Sequence, residues 1–188
     1  MKIENLCVKF EEKVIFDNFN YQFSESGIYI INGASGKGKT TLFNIISGVL
    51  HPNLGRVELG GKKVSYMFQE NRLFPDFTVF ENVFCVTEQT EDERLLSRDV
   101  LTKLGLADEL ESYPQELSGG MQRRVALARA LVYDAEIILL DEAFKGLDEE
   151  TCKAAINTVL EYTKDKLVLI SAHMLDRSLF GKYTEIDI

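Results

Sequence analysis

The chain has 188 residues, 45% of them hydrophobic, and a formal charge of −9. That is enough apolar material for one domain with a core and too little for two. The acidic balance, with no Lys/Arg run longer than two, argues against a protein built to lie along nucleic acid.

Ile3 to Phe10 and Val14 to Phe23 alternate and are rich in aromatic and β-branched residues. They predict two antiparallel strands joined at Glu11-Glu12-Lys13. A turn over Ser24 to Gly27 leads into Ile28 to Ile31, a short apolar run of the kind buried on both faces. Thr40 to Ser47 reads as a helix ended by Gly48. Val57 to Leu59 and Lys63 to Phe68 are short strands around Gly60-Gly61. From Glu70 onward helix-period segments dominate, notably Asp92 to Leu104, with Pro75 and Pro114 as punctuation. A helix runs through Met121 to Leu131, with its apolar positions Val125, Ala128, Leu131 and Val132 on one face. Ile137 to Leu140 is a buried strand, Glu149 to Tyr162 a helix, Leu167 to Ser171 a strand, and a short helix follows His173.

Strand–loop–helix alternation predicts an α/β fold with a mostly parallel sheet and crossover helices. It would form one domain over 1–188, with its core at about 1–69 and 135–188 and a helical insertion at about 70–134. Cys7, Cys85 and Cys152 lack close metal-ligand spacing and read as reduced, intracellular thiols. The N-terminus has no apolar signal core, and no stretch approaches the ~18 apolar residues that span a bilayer. A soluble chain is expected, with membrane contact only through a partner.

Gly33-Ala34-Ser35-Gly36-Lys37-Gly38-Lys39-Thr40 fits G-x-x-x-x-G-K-[ST], with Thr41 beside it. Glycines let consecutive N–H groups turn toward phosphates, and the following helix points its positive end at them. Lys39 adds a point charge between β- and γ-phosphates, and the Thr40 hydroxyl offers an oxygen to Mg²⁺. The strand from Ile137 ends in Asp141-Glu142, at the strand end where α/β folds place chemistry. Asp141 is expected to hold Mg²⁺ through its water shell and Glu142 to polarise the attacking water. An acidic pair after a strand, taken by itself, is also simply a turn.

The order of motifs resembles the ATP-binding-cassette (ABC) ATPases. The phosphate loop is followed by Gln69 after a strand, Leu117-Ser118-Gly119-Gly120-Met121, the helix Gln122 to Leu131, Asp141-Glu142, Gly146-Leu147-Asp148 and His173. The resemblance covers about residues 3 to 175 and implies a P-loop NTPase core with an N-terminal antiparallel β subdomain. It implies ATP and Mg²⁺ as ligands, with Phe10 stacking on adenine, although Phe10 read alone is also a candidate core aromatic. It implies that Gln69 senses Mg²⁺ and the γ-phosphate, that His173 contacts the γ-phosphate and holds Glu142, and that Asp148 crosses a dimer interface. Ser118, Gly119 and Gly120 would contact ATP held by a second cassette, in a homodimer as the simplest case. The cassette would sit at the inner, cytoplasmic face of the cell membrane, bound to transmembrane permease subunits.

Against the family pattern, Met121 replaces a common Gln, Lys37 adds a second cation to the phosphate loop, and Ser171-Ala172-His173 replaces a commoner Thr-His. The segment from Gly55 to Gln69 is short, and the chain runs only about 15 residues past His173. Leu73, Phe74, Phe77 and Phe80 form an apolar cluster in an expected exposed loop, which either receives a membrane-subunit helix or packs the insertion's own core. The run Gln69 to Pro75 resembles importer ATPases of the nitrate, sulfonate or taurine type. Export or lipoprotein-release cassettes, and soluble cassettes acting on DNA or ribosomes, stand as alternatives.

Overall fold

The computed structural model describes residues 1–171 and 176–188. β1 (Lys2–Phe10) and β2 (Lys13–Gln22) form the expected hairpin, and β4 (Leu54–Glu58) adds to β1 to give an antiparallel sheet of order β2-β1-β4. The second sheet is parallel, in the order β5-β6-β7-β3-β8. Its strands are β3 (Gly27–Asn32), β5 (Val64–Met67), β6 (Ile137–Asp141), β7 (Leu167–Ser171) and β8 (Thr184–Asp187).

Side chains alternate across a strand, and here the alternation divides the core in two. Ile30, Ile138, Leu140, Val168 and Ile170 face α2 (Val79–Phe84), α3 (Glu91–Lys103), α4 (Gly119–Val132) and α5 (Glu149–Tyr162). Tyr29, Ile31, Ile137, Leu139, Leu167 and Leu169 face α1 (Lys39–Ile46) and the antiparallel sheet. β6 and β7 are buried at every position, which explains their unbroken apolar sequence. No helix among the described residues is long and apolar enough to cross a membrane.

The strands expected around Gly60-Gly61 divide between the two sheets, β4 joining the antiparallel one and β5 the parallel one. Two departures from the sequence expectations have physical causes. α2 lies where a loop was expected, although Thr78-x-x-Glu81 closes a capping box there, with the Glu81 N–H donating to Thr78 Oγ1 at 3.2 Å and the Thr78 N–H to Glu81 Oε2 at 2.8 Å. In the described part of the segment after His173 the chain forms a 3₁₀ turn, Arg177–Phe180, and then β8, which had no counterpart in the sequence reading. β8 is short and half polar, so its pattern carries almost no strand signal.

The aromatic cluster divides between the two roles open to it. Phe80 and the partly buried Leu73 join the core, whereas Phe74 and Phe77 remain exposed, their ring centroids 5.3 Å apart. Buried Asn82 fixes this loop. It accepts from the Phe74 N–H at 2.7 Å and donates to the carbonyls of Phe74, Phe77 and Thr78, each at 3.0 Å.

Candidate functional site

β3 delivers the chain directly into the glycine loop. Gly38 then begins α1 with no side-chain cap, so the first N–H groups of the helix have no side-chain acceptor at Gly38. Together with the helix dipole, such groups favour an anion. Gly38 sits at φ 112°, and a Cβ there would lie 2.5 Å from Ile15 Cγ2 on β2. The loop is thus pressed against the hairpin, and only glycine fits. We expect Gly38→Ala to cost about 1–3 kcal/mol of stability and to weaken nucleotide binding. Denaturant midpoints at unchanged slope, with an ATP titration, check this; an unaltered midpoint would contradict the close approach.

Lys39 is buried, and its Nζ donates to the carbonyls of Gly33 at 2.7 Å and Ala34 at 3.0 Å. Thr40 Oγ1 donates to Asp141 Oδ2 at 2.6 Å. Asp141 is also approached by the Tyr66 hydroxyl at 3.4 Å and, through Oδ1, by the Ser171 hydroxyl. Three hydroxyls therefore share one buried carboxylate. Burial first, and then Asp141, push the Tyr66 phenol well above its ordinary range, so it stays a neutral donor at any working pH.

Glu142 follows in left-handed backbone at φ 53°. Its N–H faces the Ser171 carbonyl at 3.0 Å and the Ser171 hydroxyl at 3.1 Å. Its Oε2 accepts from Gln69 Nε2 at 3.3 Å and Lys145 Nζ at 2.7 Å. A non-glycine residue in this conformation is uncommon, and here it turns the carboxylate toward the Gln69 loop. Ser35, Gly36, Gly38, Lys39, Thr40, Thr41, Gln69, Asp141 and Glu142 line one cleft of about 170 Å³. Gly33 and Ala34 contribute their carbonyls to Lys39 instead, and Lys37 does not line the cleft.

The remaining predicted residues lie elsewhere. Phe10 is 46% exposed at the hairpin tip, so it is not a core aromatic. Opposite it Lys13 reaches over the loop, its Nζ donating to the Gly36 carbonyl at 3.1 Å. Ser118 caps α4, its Oγ accepting from the Met121 N–H at 3.2 Å, which leaves its own O–H to donate outward. Gly119 and Gly120 open that helix, and neither they nor Ser118 line the Lys39 cleft. Asp148 caps α5, and the hydrogen bonds from the Thr151 side chain, followed by its N–H, hold its carboxyl below the usual range. His173 falls outside the described residues.

Sequence reasoning did not single out Tyr66, Ser171, Arg123, Lys13 or Lys145. A serine closing an otherwise apolar strand and an arginine among the apolar positions of α4 were the available signals. Arg123 is almost fully enclosed, and burial lowers its guanidinium pKa while Asp141 and Glu142 oppose that shift.

Hard oxygen donors at Thr40 and Asp141, beside the Gln69 amide, suit a small divalent cation. Among the described residues no group of three or more His, Cys, Asp or Glu side chains could hold a metal by itself. A cation here therefore needs further oxygens, which nucleotide phosphates supply.

The chain is similar to known proteins over most of its length. A family profile described as "ABC transporter" matches residues 16–145. The chain is 39% identical, over 79% of its length, to the intermembrane phospholipid transport system ATP-binding protein MlaF of Haemophilus influenzae. It is 35% identical, over 88% of its length, to the bicarbonate transport ATP-binding protein CmpD of Synechocystis. It spans 64% of the length of each. The dimeric ATP-binding cassette MJ0796, solved in a post-hydrolysis state bound to ADP and Pi, superposes with a TM-score of 0.79 at 26% identity, covering 95% of this chain and 89% of that one.

Proposed function

Since the chain belongs to the ABC transporter family of ATP-binding, ATP-hydrolysing cassettes, we propose that it powers solute uptake through a multi-subunit importer by closing in pairs over ATP. The observation that carries this reading is the division of the motif residues. The phosphate loop, Gln69, Asp141 and Glu142 share one cleft, whereas Ser118, Gly119 and Gly120 do not line it. Two chains set head to tail would complete each site, as the dimeric state of the MJ0796 cassette supports. Asp148, on the loop whose Leu147 side chain and Gly146 carbonyl approach Gly120, would meet the partner at the same seam.

Within one site the loop N–H groups and Lys39 hold the triphosphate. Thr40 and Asp141 would hold Mg²⁺, which would supply positive charge against the phosphates. The Glu142 carboxylate accepts a proton from the attacking water, while Gln69 and His173 orient the reacting groups. Most of the acceleration comes from positioning and fixed charge. Phe10 and Lys13 flank the base and the loop from the hairpin.

Residues 70–134 act as the helical insertion that meets the membrane subunits. Beside exposed Phe77, a groove of about 440 Å³ is lined by Phe80, Phe84, Arg94, Arg98 and Glu111, among others. An apolar floor with charged edges suits a short amphipathic helix. We expect Phe77→Asp to weaken co-purification with the membrane subunits about tenfold or more while the isolated chain hydrolyses ATP as before. Unchanged assembly would move docking elsewhere.

Import is favoured by the run Gln69 to Pro75. The intermembrane phospholipid transport relative favours transfer between membranes as the second reading. In proteoliposomes carrying the whole transporter, solute moving toward the ATP-bearing face supports import, and solute moving away from it overturns import.

A further inference from the structure

Arg123 is 6% exposed and lies five residues after Ser118 on α4, about 7.5 Å along the helix axis. Its Nη1 donates to the carbonyls of Gln69 at 2.6 Å and Phe68 at 3.2 Å, and to Asn71 Oδ1 at 3.0 Å. Its Nη2 donates to the Asp141 carbonyl at 2.6 Å. β5 and β6 are neighbours, with Met67 opposite Leu140. One guanidinium therefore ties together the ends of two adjacent strands, and each strand end carries a residue of the ATP cleft.

Packing does not account for this arginine. Val125, Leu127, Ala128 and Leu131 already anchor α4 in the core. All four hydrogen bonds in hand go to neutral oxygens, and among the described residues Nε has no hydrogen-bond partner. A buried cation satisfied in this way is a poor source of stability compared with an apolar side chain of similar volume. What it adds is a rigid link between the start of α4 and the cleft.

We propose that Arg123 is a positioning residue that couples the two ATP sites of a closed pair: Ser118, at the start of its helix, meets the partner's nucleotide, while its guanidinium holds Gln69 and Asp141 of its own site. This rests on the head-to-tail reading above. When Ser118 is drawn onto the partner's γ-phosphate, α4 shifts, and Arg123 carries the two strand ends with it. Each site is then set by occupancy of the other, which is coupling between distinct sites through a shared rigid element.

The test compares Arg123→Gln with the parent chain in three measurements: thermal melting, ATP affinity at concentrations where the chain is monomeric, and hydrolysis rate against ATP concentration. The expected result is a folded variant whose monomer affinity stays within about twofold. Its maximal rate should fall roughly tenfold and its Hill coefficient from about 2 to about 1. Arg123→Lys, which keeps the charge but not the planar fork, should restore part of the rate and carries the test if Arg123→Gln does not fold. A folded variant that keeps the parent's Hill coefficient and rate overturns the coupling role alone. A parent that is itself non-cooperative, and stays monomeric with Mg·ATP, overturns the head-to-tail reading and the coupling with it.

Discussion

Glu142→Gln is expected to bind ATP as tightly as the parent and to hydrolyse it roughly 10²–10⁴-fold more slowly, the range removed with a general base. The residue leaves β6 in left-handed backbone, pinned by Ser171 at its N–H and met by Gln69 and Lys145 at Oε2 of its carboxylate. An amide of nearly the same shape can occupy that position and still hydrogen-bond, but it cannot take a proton from water. Binding survives because Lys39, Thr40 and the loop N–H groups are untouched. The stalled variant should therefore accumulate as an ATP-loaded pair, and light scattering with and without Mg·ATP should show a shift from monomer to dimer. Normal turnover would sink the general-base role. Absence of a dimer with ATP bound would overturn the head-to-tail pairing.

Lys39→Ala should fail at the earlier step. The ammonium donates to the Gly33 and Ala34 carbonyls. When phosphate enters, it exchanges those neutral acceptors for charged oxygens. Hydrogen bonds to charged groups contribute about 1.5–3 kcal/mol each, so losing the ammonium should raise the Kd for ATP by about 10- to 150-fold. Titration with a fluorescent nucleotide measures the change, and an affinity within about threefold of the parent would remove Lys39 from the site. The opposed defects, one variant that binds without turnover and one that scarcely binds, separate the two halves of the cleft.

Legibility in the sequence followed sequence distance. Gly33 to Thr40 is local: a strand, eight residues and a helix start, all read from one segment, and β3 and α1 lie where the pattern put them. The all-buried strands β6 and β7 were equally plain, because burial on both faces leaves no polar position to confuse the period. Tyr66 and Ser171 reach Asp141 only because β5, β6 and β7 are neighbours in that order, and Arg123 only because α4 packs against β5 and β6. Nothing near those residues in sequence encodes the order, so they could not be assigned in advance. α2 was overlooked for a different reason. Its box from Thr78 to Glu81 was present, but the surrounding phenylalanines drew attention to an exposed loop, and Asn82, which ties that loop to the helix, looks like any surface polar residue until its hydrogen bonds are seen.

The strand that carries the phosphate loop has its neighbours far along the chain: β3 lies between β7 and β8, with Gly27 opposite Leu167 and Asn32 opposite Asp187. Pairings over such separations form slowly, because a long stretch must be closed before they return any free energy. During synthesis the glycine loop emerges early, well ahead of both flanks of its strand and of Asp141. A polypeptide still growing through α4 thus exposes β3 as an unpaired apolar edge, open to wrong partners and in need of shielding. The competence to hold ATP arrives late and at once, when residues 167 to 171 dock beside β3 and bring Ser171 to Asp141.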